Sequence, residues 1–300
     1  MKIESLESQH VEPLRDLYND VVVPLAPHCY PVEADRFRSA FAPVLGEGKG
    51  LEKLTDEQVL VALIDGEPAG YIHIADHTEG SAGATRHLLF RQGERSVGQA
   101  LLDDALGKMS RHEFVHAYHQ YYRYEFYSRS CTYLSDRIGH VQALHQVNGF
   151  ERNNGEIHFD WDHYDVEPGD PPLDVEVMKK IGDETDRLPD QRIGLKLGED
   201  EIAVCELCSC GKWTNEPSVQ DRLFVTWLGV EEAYQGKKLG QYALLYAMKE
   251  AKTLGYRNAA ISTAVPNHRA FVFYSNIGFH VTDMTYKWTR RMTTPRRSSS

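Results

Sequence analysis

The chain has 300 residues, 41% hydrophobic and 26% charged, with a formal net charge of −11. That length is more than one core usually serves, the apolar content excludes wholesale disorder, and the excess of acid excludes nucleic acid as the main partner, since phosphate backbones need a clustered basic face. Met1–His10 has no apolar signal core and no stretch approaches the ~20 apolar residues of a membrane span, so a cytoplasmic protein with no membrane partner is expected. Five cysteines (Cys29, Cys131, Cys205, Cys208, Cys210) are an odd set, suited to free thiols in a reducing compartment.

Lys2–Leu6 alternates like a strand. Val11, Leu14, Leu17 and Val21 then recur at helical spacing, with Pro13 tolerable in a first turn. Val32–Phe41 reads as a short helix. Val59–Ile64 and Ala69–Ala75 read as strands joined by the turn Asp65-Gly66-Glu67-Pro68. Leu88–Phe90 is an apolar run, followed by the polar loop Arg91–Gly98 and a helix with Val97, Leu101, Ala105 and Met109 on one side. Asp165–Pro172, D-V-E-P-G-D-P-P, suits a linker.

The order then repeats. Ile202–Leu207 and Leu223–Val230 read as strands, Glu231–Gly240 as a loop, and Leu244, Ala247, Met248 and Ala251 mark a helix closed by Leu254-Gly255. Asn258–Val265 is a strand, and Pro266 introduces a last helix. Val97-Gly98-Gln99 matches Leu239-Gly240-Gln241, and Asn148-Gly149-Phe150 matches Ile277-Gly278-Phe279. Two such pairs in the same order point to an internal duplication. The aromatic stretch Tyr118–Tyr133 supplies the extra length of the first copy; its run Tyr118–Tyr127 could line an acceptor pocket, and is rather expected to dock the two halves.

The segment L-G-V-E-E-A-Y-Q-G-K-K-L-G-Q-Y-A-L-L, followed by P-N-H-R-A-F-V-F-Y-S-N-I-G-F, resembles the GNAT (GCN5-related N-acetyltransferase) superfamily. That family carries a Gln/Arg-x-x-Gly-x-Gly/Ala pyrophosphate loop between a strand and a helix, and further on Asn-x-x-Ala-x-x-x-Tyr-x-x-x-Gly-Phe. Gln235, Gly240, Asn267, Ala270, Tyr274, Gly278 and Phe279 match, while Lys238 stands where the family usually has its middle glycine. The clear resemblance covers about Leu223 to Trp288. In the first half the same positions are worn: Ser96 replaces the middle glycine, His145 stands where Tyr274 does, and Ile138 where Asn267 does.

The resemblance implies an α/β (α+β) protein of two GNAT-like domains, each a mixed, mostly antiparallel sheet flanked by helices. The domains are expected at 1–165 (worn) and 175–289 (acyl-CoA-binding and catalytic), with a linker at 166–174 and a basic tail at 290–300. It implies an N-acyltransferase using acetyl-CoA or another short acyl-CoA as co-substrate, acting on a small amine by direct attack, with no metal. The chain is compatible with a homodimer. The implied cofactor contacts are Leu228, Val230, Gln235, Gly236, Lys237, Lys238, Leu239, Gly240, Gln241, Asn267 and Tyr274, with strand splaying after Leu228 freeing backbone groups of Gly229 and Val230 for pantetheine. A helix N-terminus with a glycine-bearing loop suits a diphosphate, and Lys237 and Lys238 add charge. Asn267 also reads as an N-cap. Tyr274 is the implied acid for the departing thiolate. Leu223–Val230 holds no carboxylate, so Glu206 on the preceding strand is the candidate base, with an ordered water as the alternative.

Three other readings compete. A chain that binds acyl-CoA without catalysis, as a sensor or scaffold, leaves the same motifs. His112-Glu113-Phe114-Val115-His116 matches H-E-x-x-H, the pattern of a zinc-dependent hydrolase with His112 and His116 as ligands, but it falls where a helix gives way to a strand, and strand residues four apart sit ~13 Å from each other, too far to chelate one ion. Cys205-x-x-Cys208-x-Cys210 lacks a second cysteine pair and reads as free thiols.

Overall fold

The computed structural model describes residues 1–41, 54–78, 82–119, 122, 124, 126–127, 133–183 and 187–292. The chain divides into two compact units: residues 1–156 with 264–266 and 283–300, and residues 157–263 with 267–282.

The first unit begins with β1 (Lys2–Ser5), α1 (Val11–Val21) and α2 (Ala34–Ser39). Pro13 lies in the first turn of α1, where its missing N–H costs nothing. β2 (Leu54–Ile64) and β3 (Glu67–His77) form a hairpin. Its two-residue turn has Asp65 at φ 51° and Gly66 at φ 91°, the doubly positive geometry that matches strand twist. β4 (Ala82–Phe90), α3 (Arg95–Lys108), β5 (Phe114–Ala117), β6 (Leu134–Ser135) and α4 (Gly139–Val147) follow. The strand order is β1-β2-β3-β4-β5, then the last strand of the chain, β13 (His280–Arg291), which also carries β6. All the registered pairs are antiparallel except β4 with β5.

The described members of the aromatic stretch do not lie on a surface set aside for docking. Tyr118, Tyr124, Phe126 and Tyr127 sit in the core of the first unit with Leu101, Val141 and Phe150. Tyr122 is equally buried. Cys131 and the tail beyond Met292 lie outside the described residues.

β7 (Glu151–Trp161) leads into the second unit, which continues with β8 (Glu176–Ile181), β9 (Gln191–Leu197), β10 (Asp200–Ser209), β11 (Arg222–Val230), α5 (Leu239–Thr253), β12 (Asn258–Ala264) and α6 (His268–Ile277). The strand order is β7-β12-β11-β10-β9-β8, and β11 with β12 is the parallel pair. Residues 162–175 carry no helix or strand. They are tied down by Tyr164, whose hydroxyl donates to the Met248 carbonyl at 3.0 Å. α5 buries Leu239, Ala243, Leu244, Ala247, Met248 and Ala251, the 3.6-residue stripe that the sequence shows, against β9, β10 and β11.

Candidate active site

In the second unit, β11 and β12 pair only from Arg222–Asn258 to Val225–Ile261, although β11 runs on to Val230. The cause is visible on the other side of β11. Leu207 faces Val225 and Glu206 faces Trp227, leaving Thr226 as an extra residue. Such a bulge bends its strand and ends pairing. The gap therefore opens after Val225, earlier than the splay expected after Leu228.

Which backbone groups face the gap follows from the ladder. The Glu231 N–H donates to the Ile202 carbonyl at 2.9 Å, so by alternation Val204–Gly229 and Glu206–Trp227 are the hydrogen-bonded pairs. Gly229 thus spends its groups on β10, while Leu228 and Val230 aim theirs into the gap. Among the described residues, neither group of Leu228 nor the Val230 N–H has a partner in the gap, and the Val230 carbonyl accepts from Gln235 Nε2 at 3.1 Å. Leu228, Gly229 and Val230 are all half-buried.

The gap leads to the start of α5. Gly236 (φ 78°) and Lys238 (φ 62°) both take positive φ. Lys238 thus adopts the left-handed conformation that a glycine would adopt without steric cost, and it does so as N-cap. No side chain caps the helix. Tyr242 is the first residue to donate back, to Lys238 at 3.0 Å, so the N–H groups of Leu239, Gly240 and Gln241 remain without helical acceptors. A left-handed residue followed by helical ones also turns successive amides toward one point, an anion nest. Gln235, Gly236, Lys237 and Lys238 are all exposed, and the Lys237 ammonium lies 4.9 Å from the Tyr234 ring centre. A Cβ on Gly240 would stand 3.3 Å from Val230 Cγ2, so the backbone there runs close beneath the strand end. The nearby hollow of about 650 Å³ is lined by Asp200, Glu201, Glu231 and Glu232 and is unsuited to a diphosphate.

Asn267 caps α6: its Oδ1 accepts from the Ala270 N–H at 3.2 Å and its Nδ2 donates to Thr263 at 3.2 Å. Gly278 ends α6 at φ 125°, and a Cβ there would stand 2.6 Å from the Trp161 ring. Tyr274 is 7% exposed, packs on Phe159 and Phe279 at centroid distances of 5.7 and 6.1 Å, and its hydroxyl has no hydrogen bond among the described residues. Burial, with Cys205 nearby, pushes that hydroxyl up to about 12. Cys205 faces α5 with the buried Ile193 and Leu207, whereas Glu206, one residue on, faces the opposite side of the sheet. Glu206 accepts from Arg192 Nε at 3.2 Å, and its side chain is 44% exposed. Tyr274 and Glu206 therefore stand on opposite faces of the sheet. Sequence reading passed over Thr226 and Trp227; the only trace of them is one polar and one aromatic residue inside an apolar strand.

The first unit carries the same device. Its parallel pairing ends at Thr85–Ala117 while β4 runs on to Phe90, and Arg86 is the extra residue. Here the gap is filled. The Tyr118 hydroxyl donates to the Leu88 carbonyl at 2.9 Å and accepts from the Leu88 N–H at 3.1 Å. A Cβ on Gly98 would stand 2.5 Å from the Phe90 ring, which covers the start of α3. The first turn is also closed by Val97 donating to the Glu94 carbonyl at 3.0 Å, and a Glu94 carboxylate oxygen is buried there with no hydrogen-bond partner among the described residues. His145 is fully buried, its Nδ1 within 2.9 Å of the Val141 carbonyl.

Of the competing motifs, His112 pairs with Asp76 at 2.6 Å and His116, in β5, meets Thr289 at 3.0 Å. Among the described residues, no group of three or more His, Cys, Asp or Glu is placed to hold a metal ion. Cys29, Cys205, Cys208 and Cys210 are buried free thiols.

The sequence model of the acetyltransferase (GNAT) family matches residues 162–279. Residues 162–279 are a GNAT-family domain. The whole chain has the fold of a tandem GNAT protein. It is similar in structure to a tandem GNAT protein from the clavulanic acid biosynthesis pathway, solved without AcCoA, with a TM-score of 0.68 at 16% identity, over 97% of this chain and 98% of that one. It is also similar to the GCN5-related glucosamine N-acetyltransferase region of a fungal multi-domain GH3 β-N-acetylglucosaminidase, with a TM-score of 0.66 at 13% identity, over 96% of this chain and 38% of that one. A GNAT-family acetyltransferase from Colwellia psychrerythraea matches with a TM-score of 0.56 at 13% identity, over 97% and 100% of the two chains. No curated protein matches in sequence. No helix among the described residues is long and apolar enough to cross a membrane.

Proposed function

We propose that the second unit is an acyl-CoA-dependent N-acyltransferase, with acetyl-CoA as the natural co-substrate and a small amine as acceptor. The observation that carries this reading is the unfilled gap between β11 and β12, with unpartnered groups on Leu228 and Val230, leading to an uncapped helix start at Leu239–Gln241. Leu228 and Val230 would bind pantetheine amides as a β-strand binds its neighbour, and the α5 amides with Lys237 and Lys238 would hold the diphosphate. Asn267 remains as a contact at the α6 start, beyond its capping role. Bound acyl-CoA supplies an activated acyl group whose C–S bond breaks as the amine nitrogen bonds to the carbonyl carbon.

Tyr274 keeps its proton at neutral pH and holds it for the departing sulfur. A thiolate near ~8.5 is short of a proton by only ~2 kcal/mol at pH 7, whereas freeing the lone pair of an alkylamine near ~10.4 costs ~4.6 kcal/mol. Removing the amine's proton is therefore the costlier step. Glu206, on the face opposite Tyr274 and 44% exposed beside Arg192, is the candidate to receive it, directly or through an ordered water. The test is release of free thiol from acetyl-CoA across an amine panel. Tyr274→Phe is expected to lower kcat by about one to two orders of magnitude with little change in KM. An unchanged kcat would remove Tyr274 from the mechanism. Tight acyl-CoA binding with no thiol release on any amine would favour a sensor or scaffold.

A further inference from the structure

The outer face of the second unit carries a row of side chains across four strands. Lys180 on β8 pairs with Arg192 on β9, Arg192 with Glu206 on β10, and Glu206 with Trp227 on β11. Directly paired residues share a face, so these four side chains stand in line. Trp227 is 60% exposed although it is the largest apolar side chain of its strand. Beside the row runs a groove of about 350 Å³ whose lining includes Lys180, Arg192, Lys212, Glu206 and Thr226. Thr226 is the bulge residue at the mouth of the gap, so the groove reaches the place where an acyl group would be presented.

The charges along the row are not equally available. The two terminal nitrogens of Arg192 go to Glu201 at 2.8 and 2.5 Å. Asp190, which also borders the groove, is held by Arg187 at 2.6 Å. Glu206 keeps one partner, Arg192 Nε, and Lys180 has no ion pair among the described residues. The groove thus offers an anion beside an exposed indole near the gap and a cation two strands away, about 10 Å off at ~4.8 Å per strand.

We propose that this groove is the acceptor site and that the acceptor is a small zwitterion, a primary amine carrying a carboxylate or phosphate. The ammonium is received by Glu206 and the face of Trp227, an arrangement that suits a cation over an aromatic ring. The anionic group is received by Lys180 and Lys212. The assignment rests on the acyltransferase reading above and adds the chemical class of the acceptor to it.

The test compares n-hexylamine, 6-aminohexanoate and 6-aminohexyl phosphate as acceptors in thiol release from acetyl-CoA. The expected result is a kcat/KM at least tenfold higher for one or both anionic acceptors, carried by KM, and loss of that preference in Lys180→Glu. Which anionic acceptor wins distinguishes carboxylate from phosphate. Equal rates for all three, or a preference that survives Lys180→Glu, would overturn the proposal. Calorimetry of 6-aminohexanoate and 6-aminohexyl phosphate with the full chain separates the two levels. Binding that is weakened in Lys180→Glu and Trp227→Ala, without thiol release on any amine, sinks the acyltransferase reading and keeps the groove. Thiol release on simple amines, with neither anionic compound bound, does the reverse.

Discussion

The two units solve one structural problem in opposite ways. Each has a parallel strand pair forced apart by a one-residue bulge, Arg86 in β4 and Thr226 in β11, and each must then find partners for the backbone groups beyond it. In the first unit the chain answers itself: Tyr118 satisfies both groups of Leu88, and Phe90 covers the start of α3. In the second unit the equivalent groups of Leu228 have no such partner, and Val230, in the place of Phe90, leaves Gly240 accessible. Leu88 is buried, so its groups need the partner that Tyr118 supplies, whereas Leu228 and Val230 are half-buried at an open gap that an added strand-like ligand could enter.

The comparison breaks most readily on cofactor binding. Gly240→Asp sets a carboxylate among the free amides of α5, and a Cβ there meets only Val230 at 3.3 Å, so the fold should tolerate it. Acetyl-CoA affinity is expected to fall by two orders of magnitude or more. Ser96→Asp, in the exposed first turn of α3 in the first unit, should leave affinity and a stoichiometry of one per chain unchanged. Calorimetry reads both. Two sites per wild-type chain, or binding retained in Gly240→Asp, would erase the distinction between the units.

How much of this was legible in the sequence differs from element to element. The loop Gln235–Gly240 and the run from Asn267 to Phe279 were visible because residues there act on their immediate neighbours. Asn267 caps α6, and Gly278 ends it where no side chain fits against Trp161. Local roles leave local signals. The bulge at Thr226 depends on how β10 and β11 register, and no residue in L-F-V-T-W-L-G-V announces it, which is why the splay was expected three residues late. The same holds for Tyr118. Its aromatic neighbourhood was conspicuous, but that its hydroxyl meets Leu88 is a consequence of topology, so a docking surface was expected where the structure has a core. β7, β8, β9 and β13 went unread because their exposed faces are polar and irregular, as in E-R-N-N-G-E at the start of β7. The αL backbone of Lys238 had one indirect trace, its place at the family's middle glycine, because lysine itself is an unusual residue to put there.

A smaller effect sharpens the contrast from the closed side. Tyr118→Phe keeps the ring but strips both hydrogen bonds from Leu88, leaving a buried N–H and C=O unpaired. The cost is about 2–3 kcal/mol, seen as a fall in Tm of roughly 5–10 °C. Acetyl-CoA affinity should not change. If the second gap binds acyl-CoA as proposed, saturating acetyl-CoA should raise Tm, by about 2.7 kcal/mol of stability at a hundredfold excess over Kd. A Tyr118→Phe variant as stable as the wild type would show that Tyr118 is not what holds the first gap closed.

The last effect is a matter of pH, and it too belongs to the first unit. Burial holds His73 at about 4, His87 at about 3 and His145 at about 4, all below the usual 6.5. For His73 and His87 the Arg86 charge adds to the depression. These groups are neutral when folded and take up protons when unfolded. Between pH 6.5 and about 4 the unfolded chain therefore binds more protons, and stability falls as pH falls. Asp283 acts the other way. Burial raises it to about 7, so its contribution is present at low pH and is lost as pH rises through that value. Three groups against one decide the sign: acidification from pH 7.5 to 5 should lower Tm. Asp283→Asn should recover part of the stability that the carboxylate costs above pH 7. Thermal melts at pH 7.5, 6 and 5 read the slope. A flat or rising Tm toward pH 5 would mean that water or another partner reaches these histidines, and that the first gap is less tightly closed than the Tyr118 and Phe90 contacts imply.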